Sequence, residues 1–377
     1  MRDRLPSVYF YIPESDWPAD YIPQSPETYW QWMKSRYEMS ESNQMYKYLG
    51  KYNWTLQAYL YLKADGFPCE LTNTLPEEGI VLSHRNFLPF HLQPKPRLLL
   101  VCIKADYEQH PYAQLHIVQN PQETKTIRDS YYIPNWPQPG LLPRNPGRGD
   151  RFENIAFFGI EKNLAPELRD LSWQEQLKAL GLRWQVVSRA HWNDYRDVDA
   201  ILAVRNFCEQ ESYSWKPATK LYNAWHADVP AILARESAFQ AERKSELDYL
   251  EVTSLNDAIL ALKRLRDDLQ LRHAMVENGR VRAEETKPAK LVSQWHNFIT
   301  DVAVPAYDRW CKASSWNKHS YVAHCYLKIQ ENYLQPLYEH DRKHESKQQI
   351  GFQERVIISM MQVSRTVNRK VERLLRK

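Results

Sequence analysis

The sequence predicts an α/β protein with two doubly wound parallel-sheet domains that face a cleft, followed by a helical C-terminal extension. Short runs rich in Val, Ile and Leu alternate with segments of helical spacing over roughly the first 300 residues. This is the pattern of buried parallel strands covered by helices. The alternation is interrupted at residues 121–150, where six prolines and three glycines indicate an extended connection. Beyond about residue 302 no strand pattern appears, and the remainder has helical spacing.

Composition limits the classes of protein to which this chain can belong. Its 377 residues, 43% hydrophobic and 25% charged, are typical of a soluble protein with two domains. Its apolar runs are far shorter than the roughly 20 residues that cross a bilayer, and the N-terminus lacks the apolar core of an export signal. The five cysteines form no Cys-x-x-Cys pair. We therefore expect reduced thiols, a cytoplasmic location and neither a zinc site nor a disulfide framework.

Charge is unevenly distributed along the chain. The net charge is +4, but residues 341–377 alone carry +6, which leaves −2 for the rest. A nearly neutral globular part predicts that nucleic acid is not a partner. In residues 356–377, apolar side chains lie among arginines and lysines. This segment is interpreted either as a terminal helix packed on its own domains or as a basic amphipathic helix that contacts anionic lipid at the membrane periphery.

Four parts are predicted along the chain. Residues 1–120 form a first domain, 121–150 a connection, 151–300 a second domain and 301–377 a helical, basic extension. The first domain has expected strands at 8–12, 79–83, 98–103 and 115–119, with a helix at 54–64. The second has expected strands at 155–159, 183–188, 199–204, 230–234 and 248–252, with helices at 168–180, 217–228 and 237–245. A longer helix is expected from Leu255, with a capping box at Ser254 and a stop at Gly279.

Polar residues follow the predicted strands of the second domain, where ligands bind in doubly wound sheets. Lys216, Thr219 and Lys220 surround the predicted start of a helix, whose free N–H groups and dipole favour a phosphate. Arg205 would match the remaining charge, and Glu236 would accept hydrogen bonds from ribose hydroxyls. The sequence predicts a diphosphate site at these residues: Gly159, Arg205, Lys216, Thr219, Lys220 and Glu236. Each charge alone is equally consistent with a solvated surface, and the combination at matching strand ends favours a site.

Three of these stretches carry a family resemblance. Residues 199–205, 216–221 and 228–236 resemble the donor-binding half of glycosyltransferases with two Rossmann-like domains, the GT-B architecture, of the group 1 or family 4 kind. The resemblance covers roughly 150–300 and is architectural over 1–150. It implies a nucleotide-sugar co-substrate without a further cofactor, Arg205 and Lys220 as the diphosphate pair, Thr219 as a helix-terminus ligand and Glu236 as the ribose partner. It also implies an acceptor that enters from the first domain.

One feature departs from the pattern of that family, and another argues against a metal site. Many retaining members carry a second glutamate eight residues after the first, but that position is Lys244 here. Retention or inversion of configuration is therefore open. Asp197 and Asp199 spell the Asp-x-Asp motif with which other glycosyltransferases hold a metal, but they precede their strand and are expected at the wrong end of the sheet. No metal site is predicted.

Candidates for the catalytic base come from the first domain. His84 follows the strand at 79–83, and its unperturbed pKa would suit a base that deprotonates an acceptor hydroxyl. Asp106 follows the strand at 98–103 and would orient His84 or itself serve as the base. A structural, hydrogen-bonded role for His84 stays open.

The function these expectations favour is a metal-independent hexosyltransferase. It would move a sugar from a nucleotide diphosphate donor to a hydroxyl of a carbohydrate or lipid-linked acceptor. Two alternatives stay open, namely a non-catalytic nucleotide-sugar or carbohydrate binding protein of the same fold and a nucleotide-sugar epimerase.

Overall fold

Two parallel β-sheets form the framework of the protein. The structure, a computed structural model, describes residues 5–40, 49–207 and 213–344. The strands of the first sheet are β1 (Val8–Tyr11), β2 (Cys69–Thr72), β3 (Glu78–His84), β4 (Arg97–Ile103), β5 (Leu115–Val118) and β6 (Ser130–Tyr132). Those of the second are β7 (Asn154–Phe158), β8 (Arg183–Val187), β9 (Ala200–Ala203), β10 (Ala231–Ala234) and β11 (Leu250–Val252). The orders are β2-β1-β3-β4-β5-β6 and β11-β10-β9-β7-β8. The predicted fold class, two parallel-sheet α/β domains with a helical C-terminal part, is confirmed.

Both faces of the first sheet are buried. Along β4, Leu99, Val101 and Ile103 belong to one core, and Leu98, Leu100 and Cys102 belong to another. This alternation follows from the two-residue period of a strand. Helix α2 (Gly50–Ala64) packs on the first of these cores, and helix α1 (Pro26–Ser40) packs on α2 in a separate core. The continuous apolar runs predicted these strands because each face needs an apolar residue.

The second domain places a helix after most of its strands. These helices are α3 (Leu171–Ala179), α4 (Thr219–His226), α5 (Ser237–Glu242), α6 (Leu255–Asp267) and α7 (Leu269–Ala283). The capping box is confirmed, since Ser254 Oγ accepts a hydrogen bond from Asp257 N at 3.0 Å. The predicted stop at Gly279 is wrong. Gly279 lies inside α7, where a Cβ atom would sit 3.2 Å from Trp225 Cδ1. Close packing between α4 and α7, and not a helix end, explains this glycine.

The chain returns to the first domain after α7. Helix α8 (Pro288–Asn297) contributes Leu291 and Trp295 to the core of the first sheet, and Ile299 in the following π-helical turn joins them. Helices α9 (Val304–Lys312) and α10 (Ser315–His344) follow. The polypeptide thus passes between the domains twice. The second passage is not predicted by the sequence pattern, because an apolar helix face does not specify which sheet it covers.

The proline-rich connection is packed on both domains. Its first part forms β6, and beyond it the Trp136 ring stacks on Tyr61 with centroids 4.4 Å apart. Further along, Leu142 N donates to Asn193 O at 2.7 Å, and Tyr195 N donates to Leu142 O at 2.9 Å. Ring stacking and backbone hydrogen bonds therefore hold this segment against both domains.

Two further expectations concern membranes and thiols. No helix in the described part of the chain has both the length and the apolarity needed to span a bilayer. Cys69, Cys102, Cys311 and Cys325 are free thiols. The proposed lipid-contacting segment, residues 356–377, lies outside the described residues and stays a prediction.

Candidate functional site

The carboxyl edges of the two sheets face each other across a cleft. Asn120, which follows β5, donates through Nδ2 to Ser237 Oγ at 2.9 Å and to Lys216 O at 3.1 Å. Asp106, which follows β4, forms an ion pair with the Lys216 ammonium. A cavity of about 710 Å³ lies beside these contacts. It is lined by Arg85, Asn86, Lys104, Asp106, Tyr107, Glu108, Glu123, Ser214 and Trp215.

Arg205 and Glu236 form a pair at the carboxyl edge of the second sheet. Arg205 follows β9 and donates through Nη1 to Glu236 Oε2 after β10. The Glu236 side chain is 2% exposed and that of Arg205 is 18% exposed. The guanidinium also lies 5.4 Å from the centroid of the Tyr213 ring. Among the described residues, Glu236 Oε1 has no hydrogen-bond partner, so this carboxylate keeps one acceptor for a ligand.

Lys220 lies in the same charged environment at the start of α4. Burial lowers its pKa to about 7, and the positive charges of Arg205 and Lys216 act in the same direction while Glu236 opposes them. Its ammonium lies 5.3 Å from the centroid of the Phe157 ring. No side chain caps α4 at Ala218. A cation short of counter-charge beside an uncapped helix start is an arrangement that favours an anion.

Gly159 and Thr219 lie next to this charged group. A Cβ atom at position 159 would sit 2.4 Å from Phe157 Cζ, so a glycine lets that ring keep its place beside Lys220. Thr219 Oγ1 accepts a hydrogen bond from Asn135 Nδ2 in the connection at 3.0 Å. The structure therefore brings the six binding residues predicted from the sequence to one edge. None of the six lines the cavity, and Lys216 connects them to it through its ion pair with Asp106, which does.

His84 is a buried cap in this structure. Its Nδ1 accepts a hydrogen bond from Asn86 N at 3.1 Å, and the backbone N–H of His84 donates to Thr55 Oγ1 at 3.0 Å. Burial lowers its pKa to about 3, an effect that Asp106 opposes. A neutral imidazole whose Nδ1 accepts carries its proton on Nε2 and has no free lone pair for a base. Of the two predicted bases, the geometry favours Asp106.

A second charged pair in the cleft was missed in the sequence. Lys104, directly after β4, places Nζ 2.6 Å from Oε1 of Glu123, which lies in the 3₁₀ turn Pro121–Lys125. The two side chains are 5% and 7% exposed. Glu123 Oε2 has no hydrogen-bond partner among the described residues. Glu123 belongs to no motif, because its role depends on a contact 19 residues distant, and only its position after a predicted strand could have singled it out.

Asp199 lies at the opposite, amino edge of the second sheet, as predicted. Arg148 binds both of its oxygens, with Nε and Nη2 at 2.9 and 2.7 Å, and Arg144 donates at 3.0 and 2.8 Å. Burial would raise the pKa of Asp199, but these bonds and two backbone N–H donors hold it below the usual value. The carboxylate is fully occupied by its own chain. Within residues 5–40, 49–207 and 213–344, no cluster of three or more metal-ligating side chains is found.

Lys244 occupies the position where many retaining members of the resembled family carry a glutamate. Its ammonium lies 2.8 Å from Glu285 Oε1, and the side chain is 64% exposed. It takes part in a surface ion pair away from Arg205 and Lys220. The site therefore contains one acidic residue after β10.

Fold and site together define a two-domain α/β protein with a cationic, uncapped helix start at an interdomain cleft. Among solved structures it is similar to several glycosyltransferases in fold. Sucrose-phosphate synthase from Thermosynechococcus elongatus is 14% identical, with a TM-score of 0.41 over 76% of this chain and 82% of that one. HepE from Anabaena, solved with UDP and glucose, is 10% identical, with a TM-score of 0.42 over 79% and 100%. The pneumococcal O-GlcNAc transferase GtfA, solved with UDP and GlcNAc, is 12% identical, with a TM-score of 0.44 over 66% and 60%.

TarM is 9% identical, with a TM-score of 0.41, and the chain spans only 58% of its length. No family model and no curated protein matches the sequence.

Proposed function

We propose that this protein is a glycosyltransferase that uses a nucleotide diphosphate sugar and needs no metal ion. The observation that carries the proposal is the grouping of Arg205, Lys220 and Glu236 around the uncapped start of α4, at the edge where the two sheets face each other. The diphosphate would bind to the N–H groups of the first turn and to Lys220 and Arg205. Glu236 Oε1 would accept a hydrogen bond from a ribose hydroxyl.

In the proposed reaction, the bond between the sugar's anomeric carbon and the diphosphate oxygen breaks while a bond to the acceptor oxygen forms. The acceptor hydroxyl gives its proton to Asp106, and the leaving diphosphate takes the electron pair of the broken bond. Lys220 and Arg205 would stabilise the charge that develops on that leaving group. Lys216 pairs with Asp106 in the structure, so binding of the diphosphate would draw this cation away and leave the carboxylate available.

Calorimetry tests the donor site directly. UDP, GDP, ADP and their sugars are titrated into the wild type, Arg205→Ala and Arg183→Ala. Arg183 is a matched control, because it pairs with Glu153 at 2.9 Å but lies at the amino edge of the same sheet. At least one nucleotide should bind to the wild type and to Arg183→Ala, and about tenfold or more weakly to Arg205→Ala. The absence of binding for every nucleotide would refute the proposal.

A non-catalytic binding protein of the same fold is the second candidate. Two observations favour it, namely the neutral, capping state of His84 and the ion pair that occupies Asp106. Transfer from the donor that binds is assayed over a panel of sugar, glycan and lipid-linked hydroxyl acceptors. Binding with neither transfer nor donor hydrolysis would favour this candidate over the enzyme.

A further inference from the structure

The Lys104–Glu123 pair in the cleft is buried, and one oxygen of its carboxylate has no hydrogen-bond donor among the described residues. Burying two charges costs free energy that a single contact at 2.6 Å only partly returns, and an apolar pair of similar volume is often as stable. Glu123 Oε2 adds to that cost, since a buried acceptor without a donor keeps its desolvation penalty. Packing alone therefore does not account for a carboxylate at this position. A ligand that donates a hydrogen bond to Oε2 would complete it.

The surroundings of the pair indicate which ligand chemistry fits. Tyr107 from the first domain and Trp215 from the second line the same cavity and are 40% and 43% exposed. Aromatic faces of this kind pack against the C–H faces of sugar rings. Asp106 and Glu108 also line the cavity and, with Glu123, outnumber its two cationic residues, Arg85 and Lys104. The lining therefore has no excess of positive charge that would favour a phosphate group. A neutral ring with several hydroxyl groups satisfies both the aromatic faces and the open carboxylate oxygen.

We propose that Glu123 is a hydroxyl-binding residue of the cleft, whose Oε2 accepts a hydrogen bond from a pyranose hydroxyl while Lys104 holds the carboxylate through Oε1. Lys104 is then a positioning residue. The inference rests on the proposed function for the identity of the ring, which belongs either to the donor's sugar or to a carbohydrate acceptor. Both sources present the same chemistry to Glu123, and the two arms of the experiment separate them.

The donor arm measures what the sugar adds to nucleotide binding. Affinities of UDP, GDP and ADP are compared with those of UDP-glucose, UDP-galactose, UDP-N-acetylglucosamine, GDP-mannose and ADP-glucose, in the wild type and in Glu123→Gln. The acceptor arm titrates methyl glycosides of glucose, galactose, mannose and N-acetylglucosamine into the same proteins, with and without the nucleoside diphosphate that binds. In one arm Glu123→Gln should remove about tenfold or more of the sugar-dependent affinity and leave that of the diphosphate within about twofold.

Two further variants separate recognition from folding. Lys104→Met combined with Glu123→Leu replaces the buried pair by apolar side chains, so it should melt no lower than the wild type and still lose the sugar-dependent affinity. Glu70→Gln makes the same charge change at an exposed residue of β2, outside the cavity lining, and should alter neither arm.

Sugar-dependent binding that is absent, or that Glu123→Gln leaves unchanged in both arms, overturns the inference. Its failure is distinct from failure of the proposed function, because diphosphate binding is measured separately. If glycosides bind through Glu123 but no nucleotide binds, the inference about Glu123 holds, and the proposed use of a nucleotide-sugar donor is refuted.

Discussion

The two edges of the second sheet each hold an arginine–carboxylate cluster, and the two clusters are built differently. At the amino edge, Asp199 accepts from Arg144, Arg148 and two backbone N–H groups, so every acceptor is used. At the carboxyl edge, Glu236 accepts from Arg205 through one oxygen, and the other has no partner among the described residues. The first cluster binds the end of the connection to the amino edge of the second sheet. The second leaves one carboxylate oxygen without a donor, and this difference separates a structural charge cluster from a candidate binding site better than residue type does.

The largest effect on stability is expected at the amino edge, where every acceptor of Asp199 is used. Asp199→Ala leaves the buried Arg148 and the partly buried Arg144 without their shared acceptor and should lower the free energy of unfolding by about 3–5 kcal/mol. Asp197→Ala is the matched control, because that carboxylate is 82% exposed and lies 3.6 Å from the same Arg148. It should change the free energy of unfolding by about 0.5 kcal/mol or less. Urea denaturation measures both, and similar small losses would show that the saturated cluster is not a structural anchor.

The next largest effect is expected at the carboxyl edge, where the Arg205–Glu236 pair can be replaced by apolar side chains. Arg205→Ala alone leaves Glu236 buried without a donor and should cost about 1–3 kcal/mol of the free energy of unfolding. Arg205→Met combined with Glu236→Leu should recover most of that loss, since an apolar pair replaces the ion pair. Nucleotide binding, measured by calorimetry, should stay lost in the double variant. A double variant that regains stability and still binds the nucleotide would show that this pair is structural.

The pH dependence of nucleotide binding should reveal Lys220. Its pKa of about 7 in the free protein means that it is charged at pH 6 and mostly neutral at pH 8. A bound diphosphate favours the charged form, so binding above pH 7 takes up a proton and affinity falls as pH rises, by at most about tenfold per pH unit. Lys220→Arg keeps its charge throughout and should flatten this dependence. Calorimetry in buffers of different ionisation enthalpy counts the protons, and equal uptake in both proteins would assign the dependence elsewhere.

The smallest effect is expected at His84. His84→Asn supplies another side-chain acceptor for Asn86 N and should change the free energy of unfolding by about 1 kcal/mol or less. Because the pKa of His84 is about 3, the pH profile of any transferase activity between 5 and 8 should be unaltered. A profile that loses a limb near pH 6–7 in this variant would restore His84 as the base and displace Asp106.

The sequence predicted those parts of the molecule whose pattern is set by burial alone. Strands such as β4 are apolar on both faces and stand out as continuous runs. Strand β2 was missed because it is an edge strand in which only Cys69 is buried, so its alternation is weak. Gly279 was misplaced because a glycine at a helix end and a glycine at a close helix crossing look identical in sequence.

Part of the candidate site could also be predicted from the sequence, because strand positions follow from burial. Residues that follow strands share one edge of a parallel sheet, so periodicity alone placed Arg205 and Glu236 near each other. The pairing of Lys104 with Glu123 and of Asp106 with Lys216 could not be derived. These contacts depend on how two strands end and on how the domains meet, and neither is written in a local pattern.

The second passage of the chain between the domains bears on the order in which the protein folds during synthesis. The hydrophobic core of the first sheet includes Leu291, Trp295 and Ile299, which leave the ribosome after all of the second domain. The N-terminal half therefore emerges with an uncovered apolar face and cannot complete its core until residues 288–303 have been synthesised. This reverses the usual order, in which the N-terminal domain folds first. A nascent chain halted before residue 288 should accordingly recruit chaperones through its first domain, whereas one released past residue 303 should not.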